Sequence, residues 1–187
     1  MCVALISGCT VSEHMMRAHI PSRSYSEILA DGMQPSLSPE YAFPNSYQYE
    51  NGCFAFAVKH VLEYKFDETV DLYEAETIIK KPRTVLWDVD YITAFLEEYD
   101  ITMTWYKDAE TFFDFLSQGE PLVIQYPYDV GNNTFIGHLV AAYSFDKTGV
   151  WAADSISGET IHIEYDLVFN KSGTHTRYGF ATVWKEK

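Results

Sequence analysis

Cys53 is the residue of this chain that is best placed to act as a nucleophile. It lies in the segment Asn51-Gly52-Cys53-Phe54, where a loop is predicted to become a helix. The first turn of a helix presents unpaired N–H groups and a partial positive charge, and both favour a thiolate over a thiol. Gly52 removes a side chain where a substrate backbone would approach. The position suits nucleophilic catalysis; a buried helical cysteine that serves as a small apolar side chain is the alternative.

His138 is the histidine that best fits a general base. It begins a predicted strand directly after Gly137, so one side of the ring is anchored and the other is accessible. His60 lies seven residues beyond Cys53 on the same predicted helix, about 10 Å along the axis, too far to share a proton with it. The remaining histidines lie in loosely patterned segments or on an alternating strand: His14, His19, His162 and His175. A histidine that is merely hydrogen-bonded at a strand end is the alternative for His138.

Asp154 is the candidate for holding the ring of His138. It ends the next predicted strand, in Trp151-Ala152-Ala153-Asp154. Because this strand is apolar, a carboxylate at its end needs a partner, and an oriented imidazolium would be one. An aspartate that only opens the turn over 155–158 is the alternative.

The pairing of these two strands decides whether the imidazole and the carboxylate can meet. We predict that the strands pair through a long loop over 144–148, which places His138 directly opposite Asp154, with Cβ atoms about 5 Å apart on one face of the sheet. A tight turn at Lys147-Thr148 would send Asp154 to the other face unless a β-bulge intervened. The catalytic interpretation therefore predicts either the longer loop or a bulge.

The elements that must position these residues change in type along the chain. Apolar residues recur at helical spacing from Phe54 to Leu62, which predicts an amphipathic helix beginning near Cys53. Other helices are predicted over 25–30, 67–80, 88–99 and 109–118. Short runs rich in β-branched and aromatic residues predict strands over 101–106, 121–126, 138–145, 150–154, 160–165 and 180–184. Helices followed by antiparallel strands predict an α+β fold.

Three stretches in this order resemble papain-fold cysteine peptidases, and more specifically the bacterial branch similar to peptidases that process double-glycine leader peptides of bacteriocins. Residues 48–53 resemble the branch's Gln-then-Cys helix start, and residues 116–124 resemble its helix, Gly, x, Pro, strand segment. Residues 137–143 together with 150–154 resemble its His and Asp strands. The resemblance covers about residues 47–170.

The resemblance implies a fold, an activity and a set of roles. The fold would be papain-like: N-terminal helices would pack on a C-terminal antiparallel sheet, and the catalytic Cys would lie at a helix N-terminus. The activity would be thiol-dependent hydrolysis of an amide bond in a peptide or protein. Cys53 would attack the carbonyl, His138 would shuttle the proton and Asp154 would orient His138. The Cys53 backbone N–H and the side-chain amide of Gln48 would form the oxyanion hole, with Tyr47 or Tyr49 as the alternative donor in place of Gln48.

The chain also departs from the branch. Phe54 stands where members often have Gly, Ser155 stands in place of Pro after the Asp, and Tyr143-Ser144 replaces Gly-Tyr. Two other hypotheses therefore stay open. One is a papain-fold deamidase or transglutaminase-like enzyme, since these also use Cys, His and Asp in that order. The other is a catalytically inactive, acidic binding module.

The composition limits the partners. Thirteen basic and twenty-seven acidic residues give a net charge of −14, and no basic stripe is present, which argues against nucleic-acid binding. The same field favours a basic peptide or partner surface. The three cysteines fit neither a disulfide framework nor a zinc site, so we expect no metal and no other cofactor.

Residues 1–46 differ from the rest of the chain. They are rich in Ser and Pro without a sustained period, which predicts an irregular N-terminal arm before a single domain over 47–187. The stretch Leu5-Ile6-Ser7-Gly8-Cys9 resembles the lipobox of bacterial lipoproteins, so the expected location is the cytoplasm, or the cell envelope if Cys9 is lipidated. No apolar run is long enough to predict a transmembrane helix.

Overall fold

The computed structural model describes residues 23–48, 52–67, 96–97, 100–132, 134–169 and 179–185. Several predictions fall outside the described residues: the lipobox-like stretch, the histidines at 14, 19 and 175, and the helix predicted over 67–80 except for Asp67. Of the helix predicted over 88–99, only Leu96 and Glu97 are described, and both are helical.

Among the described residues, two helices precede the first strand, and four of the six strands follow one another without a helix between them. The helices are α1 (Tyr25–Ala30), α2 (Cys53–Phe66), α3 (Ala109–Ser117) and α4 (Tyr165–Val168). The strands are β1 (Ile101–Tyr106), β2 (Leu122–Asp129), β3 (Phe135–Phe145), β4 (Gly149–Asp154), β5 (Glu159–Glu164) and β6 (Phe180–Lys185). The strands form one six-stranded antiparallel sheet in the order β1-β6-β2-β3-β4-β5. The fold is α+β, as the sequence predicts.

Each face of the sheet carries its own hydrophobic core. Alternate strand residues such as Val123 and Ala141 pack with α2, while their neighbours Leu122 and Ala142 pack with α1, α3 and α4. This alternation follows from the two-residue period of a strand. Helices therefore cover both faces, because the amphipathic stripe of α3 is buried on the face opposite to α2.

The hairpin between β3 and β4 combines a tight turn with a β-bulge. Near the turn Ser144 pairs with Trp151, but further along Ala142 pairs with Ala152, so Tyr143 is the extra residue. The prediction that His138 lies directly opposite Asp154 across a long loop is wrong. The alternative, a short turn followed by a bulge, is the observed one, and the bulge returns Asp154 to the face of the sheet from which His138 projects.

The N-terminal segment holds this bulge in place. The Tyr143 hydroxyl donates to the Pro39 carbonyl at 2.8 Å, and the Ser144 hydroxyl donates to the Leu37 carbonyl at 2.5 Å. The two residues at which the sequence departs from Gly-Tyr are therefore the ones whose hydroxyl groups bind the segment before α2.

The described part of the predicted arm, residues 23–46, is mostly irregular but contributes to both cores. Ser24 and Glu27 form a capping box that starts α1, and Ile28 in this helix is fully buried. Phe43 is also buried, with its ring stacked between those of Tyr64 and Tyr143 at centroid distances of 5.1 and 4.8 Å. These contacts join the segment to the sheet.

Truncation of Ile28 tests this role of the segment. Ile28→Ala should lower the free energy of unfolding by about 2–4 kcal/mol, because it leaves a cavity between α1, α3 and the sheet. Urea denaturation measures the change, and Leu29→Ala, a half-buried neighbour on the same helix, should cost clearly less. An Ile28→Ala protein as stable as the wild type would show that the segment is not part of the folded core.

Candidate active site

Cys53 is the first residue of α2, and its side chain is a free, buried thiol. The residue before it, Gly52, is the N-cap, and no side chain caps the helix within the described residues. The N–H groups of the first turn are therefore not satisfied by a capping side chain, and they point toward the end of the helix where the thiol lies. This is the arrangement in which a helix end stabilises a negative charge.

His138 and Asp154 form a buried hydrogen-bonded pair. His138 Nε2 lies 2.6 Å from Asp154 Oδ1, and the two side chains are 1% and 4% exposed. The hydrogen bond predicted from the sequence is thus present. It depends on the bulge at Tyr143, since the register of the turn alone would turn the carboxylate to the other face.

Electrostatics make this pair an imidazolium and a carboxylate. Burial lowers the pKa of His138, but the hydrogen bond to Asp154, the neighbouring thiol of Cys53 and the charges of both groups outweigh burial and raise the pKa to about 9. Because Nε2 bonds to Asp154, Nδ1 is the ring nitrogen left for Cys53. The three sequence-predicted residues are thereby brought together.

Asp154 also organises the turn that follows it. Its carboxylate accepts hydrogen bonds from the Ser157 hydroxyl at 2.8 Å and from the backbone N–H groups of Ile156 and Ser157, both at 3.1 Å. Burial raises the pKa of Asp154, but the bond to His138 and those from the turn hold it at about 2. One carboxylate therefore both opens the turn over 155–158 and holds the imidazole.

Gln48, the predicted oxyanion donor, is fixed to the residue after Asp154. Its backbone N–H donates to the Ser155 carbonyl at 2.8 Å, and its Oε1 accepts from the Ser155 hydroxyl at 2.7 Å. With the amide oxygen engaged, the NH₂ end of the side chain is the end left to donate to another group. Ser155, another departure from the resemblance, thus orients Gln48.

Two tyrosines of β2 flank the histidine, and sequence reasoning did not single them out. Tyr126 lies directly opposite His138, and Tyr128 lies opposite Ile136 on the same face. Their rings contact the imidazole edge-on, with centroids at 5.7 and 5.4 Å. The alternation Tyr-Pro-Tyr after residue 125 was the available signal, but the strand was predicted to end at Tyr126, whereas β2 continues to Asp129.

The other described histidines do not join this group. His162 packs on the Trp151 ring at a centroid distance of 4.7 Å and lies 3.4 Å from the Asp146 carboxylate, near the opposite end of β4. His60 bonds to Ser46. Within the described ranges, no group of three or more His, Cys, Asp or Glu side chains has a geometry that could hold a metal ion.

No model of a known protein family matches the chain, and no curated protein matches it at a significant level. Among the described residues, no helix is both long enough and apolar enough to cross a bilayer.

The charge state of His138 can be measured directly. Because its folded pKa lies above the ordinary 6.5, the pair stabilises the protein fully below pH 6.5, and this contribution is lost as the pH rises through about 9. NMR titration of the ring should give a pKa near 9 in the wild type and a lower one in Asp154→Asn. Asp146→Asn, a matched change beside His162, should leave it unaltered. A wild-type value below 7 would contradict the ion pair.

Proposed function

We propose that the protein is a thiol-dependent amide-bond hydrolase, most simply a cysteine peptidase with Cys53, His138 and Asp154 as its triad. The observation that supports this best is the buried His138–Asp154 hydrogen bond of 2.6 Å, beside which Cys53 is close enough to help raise the pKa of the histidine. A cysteine that only fills space gains nothing from an imidazolium beside it. A nucleophilic thiolate, in contrast, is stabilised by that positive charge.

The first half-reaction forms a thioester. The Cys53 thiolate would attack the carbonyl carbon of the substrate, and the carbonyl π electrons would move to oxygen. As the tetrahedral oxyanion collapses, the C–N bond breaks and the Nδ1 proton of His138 passes to the departing amine. Asp154 holds the ring through Nε2 in both charge states, so that Nδ1 keeps facing the thiol.

The second half-reaction restores the thiolate. His138, now neutral, would take a proton from water while the water oxygen attacks the thioester carbon. Collapse of the second oxyanion breaks the C–S bond, releases the carboxylic acid product and leaves the imidazolium and thiolate for the next turnover. The two half-reactions as proposed use only these side chains, the substrate and one water molecule.

Both oxyanions need donors that are already oriented. The Cys53 backbone N–H at the start of α2 and the Gln48 amide, fixed by Ser155, would supply them. Because donors held in place need no reorganisation during the reaction, the two bonds between Gln48 and Ser155 favour catalysis over a purely structural site.

The proposal includes a papain-like relationship and a basic peptide or protein as substrate. The relationship is supported by the Cys, His, Asp order and by a nucleophile at a helix N-terminus beside an antiparallel sheet. The net charge of −14 supports a basic substrate. A deamidase or transglutaminase-like enzyme would use the same triad on a side-chain amide, and the products distinguish it.

Loss of the thiol should abolish turnover. Incubation with a proteome-derived peptide library, followed by mass spectrometry, should reveal new peptide termini with the wild type and none with Cys53→Ala. His138→Ala should cost nearly as much, because triad members act as a unit, whereas His162→Ala should retain activity. Released ammonia or cross-linked peptides without new termini would indicate the deamidase or transferase chemistry. Activity in Cys53→Ala would refute the nucleophile.

The pH profile of turnover should be bell-shaped. Turnover needs both the thiolate and the imidazolium, so activity should fall at about pH 9, where His138 loses its proton. Asp154→Asn should move the falling limb to lower pH, because it removes a hydrogen bond that keeps the imidazolium charged. A profile that rises steadily to alkaline pH would indicate an unactivated thiol instead.

A further inference from the structure

His60 is a fully buried titratable group that the proposed reaction does not use. It lies on α2 about two turns beyond Cys53 and has no exposed surface. Its Nε2 accepts a hydrogen bond from the backbone N–H of Ser46 at 3.0 Å, and the Ser46 hydroxyl lies 3.1 Å from the same nitrogen. Lys59 Nζ donates to that hydroxyl at 3.3 Å.

The bond to Ser46 fixes the protonation state of the ring. A backbone N–H can only donate, so Nε2 must carry no proton and the ring must be neutral. Burial lowers the pKa of His60 to about 4, with the charge of Lys59 lowering it further and that of Asp154 raising it. His60 is therefore an acceptor at neutral pH.

A buried imidazole is a costly way to fill this position. Its Nδ1 has no hydrogen-bond partner among the described residues, and a buried polar atom without a partner is destabilising. An apolar side chain of similar volume would avoid that cost. The bond from Nε2 to Ser46 is thus the feature that distinguishes His60 from its apolar neighbours on α2.

Ser46 belongs to a four-residue segment with anchors on two sides. Asn45 Nδ2 donates to the carbonyl of Glu159, the first residue of β5, at 2.9 Å, and Gln48 is bonded twice to Ser155 in the turn after Asp154. Ser46 alone is bonded to α2, the helix that begins with Cys53. The segment over 45–48 therefore connects the element that carries the nucleophile with the turn beside the triad.

We propose that His60 is a positioning residue of the active site: by accepting from Ser46 it ties the segment 45–48 to α2 and sets the Gln48 amide relative to Cys53. The inference rests on the proposed function, because Gln48 has this role only if an oxyanion forms. His60 contacts neither the substrate nor the reacting atoms, and it acts entirely through Ser46 and Gln48.

Three variants separate this role from general packing. His60→Leu fills the space without an acceptor, whereas His60→Gln retains an oxygen near the place of Nε2. Val61→Ala is the matched control, since Val61 is equally buried in the same turn of α2. If His60→Leu does not fold, His60→Asn replaces it, because its polar side chain is too short to reach Ser46.

Two readouts separate oxyanion stabilisation from the reactivity of the thiol. The first is kcat and KM for the library peptide that the wild type cleaves fastest. The second is the rate of Cys53 alkylation by iodoacetamide, in which an S–C bond forms, iodide leaves and no oxyanion develops.

His60→Leu should lower kcat by about 10-fold or more, up to the ~10²-fold loss expected for Gln48→Ala, with KM and the alkylation rate nearly unchanged. His60→Gln should recover most of kcat, and His60→Leu should cost little further in a Gln48→Ala background, because both changes act on one donor. Val61→Ala should alter stability more than kcat.

Several outcomes would overturn the proposal. The first is a His60→Leu protein with the kcat of the wild type. The second is a His60→Leu protein in which kcat and the alkylation rate fall by the same factor. The third is a kcat in both His60→Gln and Val61→Ala as low as that of His60→Leu. A wild type that alkylates at the rate of a free thiol and cleaves nothing would instead refute the proposed function itself.

Discussion

The hydrogen bond between His138 and Asp154 is the interaction on which the site depends, and it exists because of one extra residue in β3. The turn between β3 and β4 is short, so regular pairing would direct the carboxylate away from the imidazole. The bulge at Tyr143 shifts the alternation of side chains by one residue, so that the carboxylate and the imidazole project from the same face of the sheet. Hydroxyl groups at 143 and 144 then bind the backbone at Pro39 and Leu37, so that the segment before α2 stabilises the irregularity.

The sequence contains enough information to predict the chemical groups but not their supports. Cys53, His138 and Asp154 were predicted because a helix start, the strand pattern after Gly137 and the end of the next strand can be recognised from local patterns, although β3 in fact begins at Phe135, three residues before His138. The register was not predictable, since two pairings that differ by a few residues fit the same alternation of side chains. The α+β class was predicted because it depends on the order of elements and not on their exact ends.

The roles of Ser155 and His60 could not be derived from the sequence for another physical reason. Both act on residues 46–48, a segment without periodicity whose hydrogen bonds run to the turn after β4 and to α2. Irregular segments are specified by single side-chain contacts, and such contacts leave no spacing pattern to detect. Three of the four residues that depart from the resemblance, Tyr143, Ser144 and Ser155, make such contacts.

The N-terminal segment has a consequence for the order in which the molecule acquires its structure. Its bonds to Tyr143, Ser144 and Ser155 join residues 104 or 107 positions apart. Contacts this distant in sequence are slow to form, because a large loop must close before they are made. During synthesis the segment emerges well before β3 and β4, so these three bonds cannot form until both strands have followed it. We therefore expect a nascent chain to carry Cys53 long before the bonded pair of His138 and Asp154 is in place beside it.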